Sequence, residues 1–226
     1  YIRRLLGFIF QNMQRKKLYG GEFQPNNPNN PRTIIAGWVV PHSRVLEIGP
    51  GEGVIGNWLK NEKGCHVAGV EFVSEAARAI SQTFDAVIEG SIEYPSVQSQ
   101  IDVLPRFDAV IFADVLEHLV NPWNVLRVTR RWLSPQGRVL ISVPNIAHWI
   151  ARFNLLRGNW DYTDGFLMDK THLRWFTRRT AQEMAHTSGY VVEECAAIFK
   201  PRFARLWPSL MGYQTVMKIA PVTKYD

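Results

Sequence analysis

The segment VLEIGPGEGVIG, residues 45–56, limits this chain more than any other. Val45, Leu46 and Ile48 read as a buried strand that breaks into a glycine turn and re-enters a helix near Val54. Such a unit brings bare main-chain N–H groups and a helix N-terminus up to a ligand, because glycine has no Cβ to hold the ligand away. Glu47 stands just before the turn. A carboxylate there suits a ligand carrying positive charge or hydroxyls and repels a pyrophosphate. A tight βα turn with no ligand is the plain alternative. Against it stands Glu71, which closes HVAGVE at the next strand end, where an acidic residue takes ribose hydroxyls.

Two registers compete inside the run. Gly51, Gly53 and Gly56 match G-x-G-x-x-G, the dinucleotide fingerprint. Glu47, Gly49, Gly51 and Gly53 match E-x-G-x-G-x-G, the first motif of class I S-adenosylmethionine (SAM) methyltransferases. Glu71 fits either register, so the run alone leaves both open.

The chain has 226 residues, 46% of them hydrophobic, which suits one α/β domain with a sizeable core. No apolar run reaches the roughly 18 residues of a membrane span, and no signal-peptide pattern is present. The expected setting is therefore cytoplasmic, with Cys65 and Cys195 as buried free thiols. A net charge of +6 permits an anionic partner, whether nucleic acid, membrane surface or phosphorylated substrate, and equally a solvated basic surface.

Ile2, Leu5, Leu6, Ile9 and Met13 form a helical apolar stripe flanked by Arg3, Arg4, Arg15, Lys16 and Lys17. The 2–17 segment fits a cap on the domain or a peripheral contact with the inner membrane face. Pro25, Pro28 and Pro31, alternating with asparagines, exclude regular structure and suggest a lid-like loop, followed by a short helix through Trp38. From residue 44 strands and helices alternate: strands at 44–48, 66–71, 86–88, 109–112 and 139–143, helices at 54–61, 74–82 and 122–133. The alternation predicts a parallel sheet covered on both faces. Asn121 and Pro122 read as N-cap and first residue of the third of these helices, with Ser134-Pro135-Gln136-Gly137 stopping it. A Trp- and Arg-rich insertion follows Pro144; then come a helix over 177–188 capped by Thr177, a strand at 190–199 and a last strand near 213–219. The expected layout is one domain over 1–226: a helical cap and loop (1–40), a ligand-binding core (41–145), an acceptor-covering insertion (146–177) and a C-terminal helix with strands (178–226).

The order of these pieces resembles the class I SAM-dependent methyltransferases. VLEIGPGEG, the acidic strand end Glu71, GSIE at 90–93, FDAVIFADVLEHL at 107–119 and LSPQGRVLISVPN at 133–145 carry the likeness, which covers most of the chain. DVLEHL is foreign to a nicotinamide dehydrogenase. The resemblance implies a Rossmann-like fold, α/β, with a seven-stranded, mostly parallel sheet, helices on both faces and a final antiparallel hairpin. The stretch 158–177 is similar to bacterial methyltransferases of surface-polysaccharide and natural-product pathways. The family often has Asp where this chain has Ser91, a position that meets the adenine amine.

The resemblance also implies roles. Glu47, Gly49, Gly51 and Gly53 would hold the methionine end of SAM. Glu71 would take both ribose hydroxyls, Phe72 and Val73 would pack the adenine, Ser91 and Ile92 would line its edge, and Asp114 would lie near the methionyl moiety. An alcohol acceptor needs a base because its own pKa is high. His118, His148 and His172 are candidates, and His172 is preferred because DKTHLR lies in the insertion, with Asp169 to orient it. Trp149, Arg152, Trp160, Trp175 and Phe176 suit stacking on a sugar or lipid-linked acceptor, or packing as a satellite core.

Asp114, Glu117 and His118 spell D-x-x-E-H, similar to the E-x-x-E-H of ubiquinone-pathway O-methyltransferases, which use a divalent ion. The same DVLEH also occurs in relatives with no metal need, so no metal ligand is assigned. The reading is SAM-dependent O-methylation of a sugar-containing or other small hydroxylated acceptor. The alternatives are nucleic-acid methylation, disfavoured by dispersed basic residues and by ADVL after the fourth strand, and a non-catalytic SAM-binding module.

Overall fold

The computed structural model describes residues 23–199 and 207–222. The stripe at 2–17, read as cap or membrane contact, lies outside the described residues.

Five strands run parallel: β1 (Arg44–Ile48), β2 (His66–Glu71), β3 (Ala86–Glu89), β4 (Phe107–Ala113) and β5 (Leu133–Pro144). Two more, β6 (Tyr190–Phe199) and β7 (Gly212–Pro221), finish the sheet as an antiparallel hairpin, with β7 also antiparallel to β5. The seven-stranded order is β3-β2-β1-β4-β5-β7-β6. The chain leaves β1 toward one edge and returns at β4 toward the other. The crevice where order reverses, beyond the C-terminal ends of β1 and β4, is where such a sheet binds ligands.

Period-two alternation splits the core between the two faces. Leu46, Val110, Phe112, Val139 and Ile141 join one buried cluster, while Val45, Ile111 and Leu140 join the other. Helices α1 (Pro31–Trp38), α2 (Val54–Lys63), α3 (Ser74–Ile80), α4 (Pro95–Asp102), α5 (Pro122–Thr129), α6 (Trp149–Leu156), α7 (Arg178–Thr187) and the single turn α8 (Pro208–Met211) surround the sheet. Local chemistry sets several starts. Asn121 caps α5 through its side-chain oxygen to the Asn124 amide, and Thr177 and Thr180 form a reciprocal capping box on α7.

Several expectations are corrected. Helix α5 ends at Thr129, not 133, because Leu133 pairs with Phe107 as the first residue of β5. The Ser134–Gly137 stretch is therefore an irregularity inside β5 rather than the helix stop. Helix α3 ends at Ile80, two residues early. Helices α4 and α6 were not expected. The proline–asparagine loop is pinned, since Asn29 exchanges side-chain hydrogen bonds with both main-chain groups of Phe199. Cys65 is buried as expected, but Cys195 is only half-buried.

Candidate active site

The glycine turn after β1 is built by three left-handed residues, Gly49, Gly51 and Gly53, with φ of 64°, 56° and 70°. A Cβ at Gly51 would meet nothing within 4 Å, so this turn borders open space. Gly56 is different. It lies inside α2, and a Cβ there would stand 2.3 Å from Phe84 Cζ and 2.7 Å from Glu47 Oε2. The third glycine of the dinucleotide register is thus a packing device between helix and strand.

Two carboxylates flank the turn. Glu71 receives the Gly51 amide on Oε2 at 2.9 Å and the Val73 amide on Oε1 at 2.8 Å. Each oxygen keeps a second lone pair for a ligand hydroxyl. Glu47 is 2% exposed and its Oε2 has no hydrogen-bond partner. Burial pushes its carboxyl up to about 8; the Gly56 main-chain N–H and the charge of Arg32 pull it down, and Glu71 adds to the rise. Glu47 is therefore a neutral acid awaiting a positive group. Arg32, from the start of α1, also acts on Asp114; no sequence signal marked it for the site.

Past β2 and β3, the Gly90 amide donates to the Glu71 carbonyl at 2.8 Å, joining the 72–73 and 91–92 segments at one rim. Ile92 is buried, with its carbonyl held by Gln98 at 2.9 Å, and the Ser91 hydroxyl oxygen accepts from the Glu93 amide at 3.3 Å. Phe72, Val73, Ser91 and Ile92 therefore flank Glu71 from two neighbouring strand ends.

Asp114 closes β4 in the left-handed region, φ 58°, which Asp tolerates better than most residues. Its Oδ1 accepts from Ser142 Oγ at 2.9 Å and from Gln214 Nε2. Burial raises its pKa despite those bonds. Beyond it, a 3-10 turn, Leu116–His118, brings Glu117 inward. Glu117 is 1% exposed and neither carboxylate oxygen has a partner; burial, with Asp114 and Asp169, pushes its pKa well up.

The insertion closes over this turn. Its base is a parallel bridge between Asn145 and Phe176, and its far side is fixed by the Glu117 carbonyl, which accepts from the Leu173 amide at 2.8 Å and the Arg174 amide at 3.0 Å. His172 is thereby set against His118, ring centroids 4.9 Å apart. Both imidazoles are held neutral, chiefly by burial, His118 down to about 4. Asp169 takes the His172 amide on its main-chain carbonyl at 3.1 Å and acts on the ring through its charge. Its Oδ1 accepts from Thr171 N at 2.7 Å and Thr171 Oγ1 at 2.6 Å, and Thr171 in turn lies 3.2 Å from His118 Nδ1 through both carbonyl and hydroxyl. His148 caps α6, its Nδ1 facing the Ile150 amide at 3.4 Å.

The D-x-x-E-H likeness is shared with metal-using and metal-free relatives alike, and the residues can be tested against a metal. Glu117, His118 and His172 offer donor atoms within 4.8 Å of one another. With two orphaned carboxylate oxygens and two neutral imidazoles, this donor set fits a divalent cation. Asp114, whose Oδ1 serves Ser142 and Gln214, stands outside it. Among the described residues no helix is long and apolar enough to cross a membrane.

A family model described as a methyltransferase domain matches residues 5–194. Ubiquinone biosynthesis O-methyltransferases of Pseudomonas fluorescens and Aeromonas salmonicida are 27% identical over 132 residues and 29% over 133, covering 55% of each chain. The chain thus spans about half the length of the curated relatives it matches. A SAM-dependent methyltransferase from Archaeoglobus fulgidus superposes with a TM-score of 0.63 at 17% identity, over 94% of this chain and 100% of that one. The 1,6-didemethyltoxoflavin-N1-methyltransferase of Burkholderia thailandensis, solved with that compound and S-adenosylhomocysteine, gives 0.56 at 18% identity, over 87% and 80%. At such identities the solved structures are similar in fold.

Proposed function

The chain belongs to the methyltransferase-domain family and is a class I SAM-dependent methyltransferase, and from that premise we propose that it methylates a hydroxyl of a small acceptor, sugar-containing acceptors being the class its aromatic insertion suits. SAM seats its methionine end at Glu47, Gly49, Gly51 and Gly53. Its ribose lies on Glu71, and its adenine between Phe72, Val73, Ser91 and Ile92. Asp114 then borders the methionyl moiety, and the methyl group faces the Glu117–His118 turn.

The sulfonium supplies its own driving force, so the protein's tasks are alignment, exclusion of water and removal of one proton. The observation that carries the O-methylation reading is the gathering of Glu117, His118 and His172 beyond the C-terminal end of β4, the same end of the parallel strands at which Glu47 and Glu71 stand. An alcohol needs somewhere to send its proton: neutral imidazoles beside a carboxyl can take it directly, and where they hold an ion instead, the ion would acidify the hydroxyl and the proton would pass to solvent. His118 and His172 are assigned to that side of the reaction. Asp169 is a positioning residue that acts through Thr171. A divalent ion held by Glu117, His118 and His172 would lower the pKa of a bound hydroxyl.

Trp160 and Trp175 meet edge to face at 6.0 Å, with Tyr162 6.4 Å from Trp175. Such a corner can receive the apolar face of a sugar or an aryl ring. The experiment is a screen for S-adenosylhomocysteine formation against nucleotide sugars, lipid-linked glycans, phenols and amines. Turnover with hydroxylated acceptors supports the reading; turnover confined to amines overturns it.

A further inference from the structure

Burying an ionised carboxylate without a partner is expensive, and Glu117 buries both of its oxygens that way. The charged and titratable groups acting on it do not relieve this. Asp114 and Asp169 add negative charge, and the rings of His118 and His172 lie beside it with their centroids 4.9 Å apart. A positive ion at this point would satisfy the carboxylate and lie within reach of ring nitrogens of His118 and His172. His118 is oriented from one side by Thr171. Its Nδ1 meets the Thr171 carbonyl, the kind of second contact that fixes tautomer and ring orientation in metal-bound histidines. Thr171 is fixed in turn by Asp169, so the orienting chain is two residues deep.

We propose that His172, brought in by the insertion, completes a two-histidine, one-carboxylate site with Glu117 and His118 for a divalent first-row transition metal. The donor chemistry sets the class of ion. Two imidazoles favour manganese, iron, cobalt or zinc over magnesium, which prefers an all-oxygen shell. Donors bound to one ion lie roughly 3–4 Å apart at metal–ligand distances of ~2.0–2.2 Å. The present 4.8 Å limit therefore closes with a sub-ångström shift of side chains. Asp114, the first acid of D-x-x-E-H, is not a ligand, and the third donor comes from far along the chain. Binding the ion would thus latch the insertion onto the turn after β4 and leave open positions toward the acceptor. This rests on the acceptor side of the methyltransferase reading, and S-adenosylhomocysteine binding reports the donor side separately.

The test uses the full chain stripped with EDTA and titrated with Mn2+, following loss of the free-ion EPR signal and the shift in Tm. The expected result is saturation at one ion per chain with a raised Tm, and competition by Zn2+. Thr171→Ala should weaken Mn2+ by roughly 10- to 100-fold, and His172→Ala and Glu117→Gln by more. Asp114→Asn, which removes a neighbouring charge but no donor atom, should weaken Mn2+ less than His172→Ala or Glu117→Gln does. Calorimetry with S-adenosylhomocysteine identifies which variants remain folded. A folded His172→Ala that binds Mn2+ like the parent, or a parent that takes up no Mn2+, overturns the proposal.

Discussion

The Gly51 main-chain N–H donates to Glu71 Oε2 across 2.9 Å, tying the glycine turn after β1 to the end of β2. The same carboxylate that would grip the ribose also fixes the turn that would meet the methionine end. Glu71→Ala removes both functions and should weaken S-adenosylhomocysteine by about 1–3 kcal/mol, measured by calorimetry. Unchanged affinity would remove Glu71 from the donor site.

Gly56 offers a stability test independent of ligand. An added methyl would meet Phe84 at 2.3 Å and the Glu47 carboxyl at 2.7 Å, both in a packed interior. Gly56→Ala should destabilise by about 1–3 kcal/mol despite alanine's better helix propensity, read from urea denaturation. A stabilised variant would show that the helix can move away from the sheet.

Much of this could be read along the chain. Strands 44–48, 66–71 and 190–199 match the structure to the residue, because glycines, polar edges and apolar runs punctuate them. Helix α4, PSVQSQID, was missed because its mostly polar, short sequence carries little periodic signal. Helix α6 was missed for the opposite reason: WIARFNLL buries only Ala151 and so shows no polar face against an apolar one. In the site, the motif residues were legible as types in order, whereas Glu117 was not singled out as a central group. Its importance comes from burial without partners, which is a property of the packed insertion. Asp169 was read toward His172, three residues along, and its charge does act there, while its carboxylate oxygen is taken by Thr171.

Trp160 tests the acceptor side. It is 39% exposed and leans on Trp175, so its loss should disturb stacking more than folding. Trp160→Ala should raise the acceptor KM by the several-fold that about 0.5–1.5 kcal/mol represents, with S-adenosylhomocysteine affinity unchanged. An unchanged KM would reassign the tryptophan pair to packing.

Glu47 couples donor binding to pH. Its folded pKa of about 8 lies above the ordinary 4.5, so the folded state keeps a proton that the unfolded chain releases. Stability from this group should therefore fall as pH rises from 4.5 to 8. Bringing the ammonium of SAM against Glu47 favours the ionised carboxylate, and the proton must leave. Below pH 8 binding should release up to one proton per donor and tighten with pH, by up to roughly tenfold per unit. Above it the donor's own α-amino group, with a pKa near ~8, begins to lose its charge, so affinity should peak there. Calorimetry at pH 7 in phosphate and in Tris reads the proton as a difference in enthalpy. Glu47→Gln should abolish both that difference and the slope below pH 8. Equal enthalpies for the parent in the two buffers would mean that Glu47 stays neutral and that the ammonium is held elsewhere.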